Sequence, residues 1–67
     1  MISPVKVLRQ KLLMTQVEFA EQLGLSKQMI SNYENGLYSP SMSTIKKLVK
    51  IASENNIEID VNDFFQE

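Results

Sequence analysis

A chain of 67 residues with neither cysteine nor histidine lies near the lower size limit for independent folding, has no disulfide or thiolate site to staple it, and lacks the commonest general base. Its formal net charge of −1 argues against nucleic acid at first sight. The charge is split, however: residues 1–50 hold all seven Lys and Arg against Glu18, Glu21 and Glu34 (a balance of +4), and residues 51–67 hold Glu54, Glu58, Asp60, Asp63 and Glu67 with no base (a balance of −5).

A basic body with an acidic end can still present phosphate-binding charge on one face. No apolar run approaches the length of a membrane span. MISPVKVLRQK mixes charge into its apolar residues and lacks a signal-peptide core, so a cytoplasmic protein is expected. The whole chain, residues 1–67, is expected to be one domain. A core this small must come from close helix packing, aided by dimerisation.

Ser3-Pro4 predicts a helix start, with Ser at the N-cap and Pro in the first turn. Val5, Leu8 and Leu12 follow as one helical stripe, predicting a first helix over about 4–12, with Leu13 and Met14 covering the turn after it. No glycine ends this helix. Thr15 and Glu18 form a capping box, T-x-x-E. Phe19, Ala20 and Leu23 supply the buried side of a second helix, which Gly24 stops with a positive φ. Leu25 then packs into the angle between two helices.

Ser26 caps a third helix. At about 100° per residue, with Lys27 at zero, Gln28 lies at about 100°, Ser31 at about 40° and Asn32 at about 140°. Ile30 at about 300° and Tyr33 at about 240° take the other side, with Met29 on the boundary. One side is polar and the other apolar. Gly36 ends this helix after Asn35. Leu37-Tyr38-Ser39-Pro40 is a loop, since Pro40 biases Ser39 away from the helical region.

Ser41 or Ser43 caps a fourth helix. Ile45, Leu48, Val49, Ile51 and Ala52 form its apolar face, with Lys46, Lys47 and Lys50 outside. Residues 57–61, IEIDV, alternate with a strand-like period. Asn62-Asp63-Phe64-Phe65 is a last short turn or helix closing the core.

With these residues in view, the chain resembles the lambda-repressor-like, Cro/C1-type helix-turn-helix family of phage and bacterial repressors. The resemblance runs from Val5 to Phe64. It is carried by Thr15-Gln16, Phe19-Ala20, Leu23-Gly24-Leu25-Ser26, Ile30-Ser31, Glu34-Asn35-Gly36 and Pro40 at these spacings. It implies an all-α fold: a compact five-helix domain with a central helix-turn-helix. The second helix would cross the DNA backbone and the third would enter the major groove.

The resemblance also implies roles for residues. Lys27, Gln28 and Asn32 fall where the family reads base edges, and Ser26 and Ser31 at the groove edge. Asn35 and the loop around Tyr38 fall where phosphate contacts are usual. Gln16 resembles the glutamine that bonds a phosphate while contacting the recognition side chains. Arg9 and Glu34 match an ion pair tying helix 1 to the end of helix 3. Three departures stand out. Leu13 occupies a position often held by glycine, Leu37-Tyr38 replaces a basic residue, and the segment after Ala52 is a few residues longer than usual.

The chemistry fits these roles. Gln28 and Asn32 can each bond an adenine edge bidentately, and Lys27 can donate to guanine O6 and N7. On an isolated helix such residues would be merely solvated, but the capping box, Gly24 and the Glu-Asn-Gly end favour base reading. Gln16 is uncharged, so its phosphate bond would position rather than drive binding, unless it only opens the helix. Tyr38 either bonds a phosphate or covers the loop. Lys6, Lys11, Lys46, Lys47 and Lys50 are candidate charge donors without individual assignments. Phe64 and Phe65 are core or core-edge residues, one of which could line a dimer contact with Ile57 or Ile59.

The expected function is a sequence-specific double-stranded DNA-binding regulator, most simply a repressor acting as a homodimer on a palindromic operator. The competing reading is a protein-interaction module whose acidic end, Glu54 to Glu67, binds a basic partner. No nucleophile stands beside a base, so no enzyme activity is expected. Nor is any cofactor, metal, membrane or small-molecule partner.

Overall fold

The computed structural model describes residues 3–65, and the side chains of residues 3–64. Four α-helices follow in order: α1 (Pro4–Lys11), α2 (Gln16–Leu23), α3 (Lys27–Glu34) and α4 (Met42–Glu54). A five-residue 3₁₀ helix, Val61–Phe65, closes the chain. The expected fifth α-helix is thus replaced by this shorter element. Residues 57–60 take no regular secondary structure, and the described residues contain no strand. Their alternation has another cause. Ile57, Ile59 and Val61 turn half-buried onto the core, while Glu58 and Asp60 face water.

Each α-helix begins at a hydroxyl. Ser3, Thr15, Ser26 and Ser41 are the N-caps, and their oxygens accept from Val5, Glu18, Met29 and Thr44 amides respectively. This satisfies one otherwise unpaired donor at each start. Ser41, not Ser43, caps α4. Thr15 forms the full capping box, its own amide donating to Glu18 Oε1 at 2.9 Å.

Each helix also ends alike. One amide bonds back three residues and the next bonds back five: Leu13 to Gln10 and Met14 to Arg9, Gly24 to Glu21 and Leu25 to Ala20, Gly36 to Tyr33 and Leu37 to Asn32, Asn56 to Ser53 and Ile57 to Ala52. This closure requires a left-handed residue at its centre. Leu13 (φ 59°), Gly24 (69°), Gly36 (75°) and Asn56 (57°) occupy it. Gly and Asn suit that conformation, whereas Leu strains in it.

An apolar residue follows the left-handed one each time. Met14, Leu25 and Ile57 pack on the core, while Leu37 stays exposed. The expectation that Leu13 covers the first turn is wrong. It is 91% exposed, because its positive φ aims the side chain at solvent and leaves Met14 to cover the turn.

The core gathers Val5 and Leu8 from α1, Phe19, Ala20 and Leu23 from α2, and Ile30 and Tyr33 from α3. Ile45, Leu48 and Ala52 come from α4, and Phe64 from the closing turn. The prospective core-edge role of Phe65 concerns a side chain outside those described. Thr44 is buried too, with its hydroxyl accepting from Ser41 Oγ at 3.2 Å. Helix α3 packs on both α1 and α2, and the closing turn packs on α1 and α4. Helix α3 is therefore anchored from behind, while the acidic end rests on other elements.

Candidate nucleic-acid interface

Burial fixes which way α3 faces. Ile30 is 0% and Tyr33 9% exposed, so one side of the helix is committed to the core. Met29 is half-buried at the boundary. The opposite side carries Lys27, Gln28, Ser31, Asn32 and Asn35, exposed or half-exposed. Every one of these side chains can hydrogen-bond, and none except Lys27 bears a charge.

Two bonds run along this face. Gln28 Nε2 donates to Asn32 Oδ1 at 3.1 Å, and Asn35 Nδ2 donates to Ser31 Oγ at 3.2 Å. Both join residues four apart, which face each other on a helix. Their spacing made both legible in the sequence, yet neither was anticipated there. Lys27 is exposed at the first position of α3. Ser26 spends its oxygen on the Met29 amide, at 3.1 Å. Tyr38 lies in the loop after α3, exposed, and its hydroxyl bonds nothing among the described residues.

Behind the face, Glu34 ties three elements together. Arg9 Nε donates to Glu34 Oε2 at 2.6 Å and Arg9 Nη2 donates to Oε1 at 3.1 Å, a two-pronged pair from α1 to the end of α3. Arg9 Nη1 also donates to the Met14 carbonyl at 3.0 Å. The hydrogen bond that Arg9 donates to Glu34 is the main cause raising the Arg9 pKa above its ordinary value; burial opposes it and the carboxylate charge assists. Ser3 Oγ reinforces the same junction, donating to the Tyr33 carbonyl at 3.3 Å.

Gln16 joins this cluster. Its Nε2 donates to Glu34 Oε1 at 3.1 Å, and no hydrogen bond joins it to Lys27, Gln28 or Asn32 among the described residues. An ionised carboxylate is a stronger acceptor than a neutral amide, and it captures the Gln16 amide. One Nε2 hydrogen remains free to donate outward. Lys47 is likewise engaged, its Nζ donating to the Leu23 carbonyl at 3.4 Å at the negative end of α2.

Among the described residues no group of His, Cys, Asp or Glu could hold a metal ion. No described helix is long and apolar enough to cross a membrane. Three open clefts border residues 57–63.

Two short helices meet at a left-handed glycine, and the second is anchored on one side and lined with hydrogen-bonding side chains on the other. This is the geometry of a helix-turn-helix DNA-binding domain. The chain belongs to the Cro/C1-type helix-turn-helix family, whose model matches residues 5–52. It is a DNA-binding helix-turn-helix regulator. The match ends at Ala52, short of the Phe64 limit of the resemblance read from the sequence, so residues 57–60 and the closing turn lie beyond it. No curated protein and no solved structure matches the chain.

Proposed function

We propose that this chain is a cytoplasmic, sequence-specific transcriptional repressor that folds as one domain over residues 1–67 and binds a palindromic operator as a homodimer. The observation that carries this reading is the division of α3 into a buried Ile30/Tyr33 side and an exposed polar side. In the proposed complex that polar side enters the major groove. Lys27 donates to guanine, Gln28 and Asn32 face adenine edges, and Ser31 lies at the groove edge. Ser26, Asn35, Tyr38 and the free hydrogen of Gln16 contact the backbone and set the register.

A lone subunit spans too few base pairs to find a site among a genome's competitors, so two subunits act together, with half-sites about 34 Å apart. The half-buried Ile57 and Ile59 line shallow surface grooves and are the proposed apolar part of the dimer contact. Repression follows from occlusion of a promoter by the bound dimer.

Selection of binding sites from random duplexes tests the reading most directly. An enriched palindrome with half-sites one duplex turn apart is expected. Gln28→Ala should then lose specific binding while keeping the parent's melting temperature. Equal enrichment of all sequences would overturn the proposal, and undiminished specific binding by Gln28→Ala would remove that residue from the reading face.

A further inference from the structure

Resting on the reading of α3 as the helix that enters the groove, we infer that Leu37 is an uncharged DNA contact, seated at the rim of the reading face against the deoxyribose of the backbone. Leu37 is the exception among the four helix closures: Met14, Leu25 and Ile57 pack on the core, while Leu37 is 68% exposed. The closure itself explains the difference. A residue in this position rests on the residue whose carbonyl its amide bonds and on the one before that. For Leu25 these are Ala20 and Phe19, for Ile57 Ala52 and Ile51, and for Met14 Arg9 and Leu8, so each finds at least one side chain of the core. For Leu37 they are Asn32 and Ser31, both on the polar side of α3.

The 2.9 Å bond from the Leu37 amide to the Asn32 carbonyl therefore sets Leu37 beside the reading face, not beneath it. Tyr38 follows it, also exposed. Single exposed apolar residues are ordinary, but these two continue a face whose other members all hydrogen-bond. A leucine side chain has no donor, acceptor or charge, so a phosphate oxygen gives it nothing. Base edges are met by the N-terminal residues of a recognition helix, and Leu37 lies beyond the other end, about 12 Å from the start along eight helical residues. What the duplex presents at that rim is backbone, and the C–H surface of its sugars is the apolar part. The second subunit has its own surface in the proposed dimer: the clefts at Ile57 and Ile59 are lined by α1, α4 and residues 56–63, and include no residue of α3 or its loop.

Fluorescence anisotropy on the selected operator, its single-base-pair substitutions and a random duplex, between about 50 and 200 mM salt, tests this with the parent, Leu37→Ala and Leu37→Lys. Leu37→Ala should weaken binding of every duplex by about 15-fold, the product of about fourfold for one buried carbon group in each of two subunits. Its salt dependence should match the parent's, since no counterion release is lost, and its base preferences should be unchanged because backbone contacts carry no sequence information. Leu37→Lys sets a charge beside the phosphates and should steepen the logarithmic salt slope by about 0.9 for each subunit. Both variants should keep the parent's melting temperature, because the position is exposed.

Undiminished binding by Leu37→Ala, or a Leu37→Lys slope equal to the parent's, overturns the inference. Relaxation confined to one base pair would make Leu37 a reader of thymine methyl groups. A lower ultracentrifugal mass of Leu37→Ala without DNA would set it against a second copy. Either result removes the sugar contact. If the parent binds no duplex at all, the proposed function falls and this inference with it; the other outcomes remove the inference alone.

Discussion

Leu13 is the residue most at odds with its surroundings. It sits at φ 59° and is 91% exposed, so it suffers left-handed strain without any packing in return. Glycine there would relieve about 1–2 kcal/mol of strain, partly offset by its greater freedom in the unfolded chain. Leu13→Gly should therefore stabilise the domain by about 0.5–1 kcal/mol and raise its melting temperature by roughly 2–8 °C in a calorimetric scan. An unchanged or lower midpoint would mean that the strain is relieved some other way.

Glu34 presents the opposite case. Its side chain is 5% exposed against 15% for Arg9, and Glu34→Ala would leave the guanidinium and the Gln16 amide without their acceptor. Removing one partner of a well-buried pair costs about 3–5 kcal/mol, and the partial exposure of Arg9 lowers this to about 2–4 kcal/mol. Urea denaturation should show that loss, with DNA binding weakened only as folded protein is lost. Abolished binding at an unaltered denaturation midpoint would instead make Glu34 a DNA contact. A raised arginine pKa contributes stability that is complete below the unfolded value and lost only as pH climbs through the folded one. Since both lie in the strongly alkaline range, the arginine half of this bond does not titrate near neutrality.

At the scale of the element, three helices of eight residues and one of thirteen are too short to persist alone, since isolated helices below about 12–15 residues are marginal in water. Their hydroxyl N-caps and left-handed closures specify where each stops, and the shared core supplies the stability. The turn between α2 and α3 depends most on its closure, because Gly24 sets the path by which α3 departs. A Cβ added at Gly24 would meet no atom within 4 Å, so Gly24→Ala incurs backbone strain only. It should cost about 1–2 kcal/mol, read as a lower melting temperature with an intact helical circular-dichroism spectrum. Any larger loss would point to a rearranged turn.

At the scale of the whole molecule, the net charge of −1 conceals a division between a basic body and an acidic end. The closing turn packs on α1 and α4, which seats Asp63 and its neighbours away from the polar face of α3. Few cations line that face, so DNA affinity should depend on a small number of phosphate contacts repeated by the two subunits of the proposed dimer. For about six contacts in total, affinity should fall roughly 10³-fold between about 50 and 200 mM salt. Fluorescence anisotropy with a labelled operator measures this slope, and a salt-insensitive affinity would argue against phosphate contact. A monomeric mass by analytical ultracentrifugation, both free and on operator DNA, would exclude the homodimer.

Local chemistry determined most of what could be read before the fold. Hydroxyl caps, the two glycines and the helical spacing of apolar residues act within one or two turns of chain, so they marked the helix limits and the two sides of α3. Three features depended on contacts between distant residues, and only tertiary structure decided them. Residues 57–61 alternate like a strand, but α1 and α4 offer them a packing surface and no pairing edge, so residues 57–60 form no strand and Val61 enters the closing turn. The last element is a 3₁₀ turn because it need only bring Phe64 onto an existing core. Gln16 bonds Glu34 because folding brings a carboxylate from the end of α3 within 3.1 Å of the start of α2. The helix-turn-helix is thus written in the chain itself, while the partners of its side chains follow from which charged group lies nearest once the helices have packed.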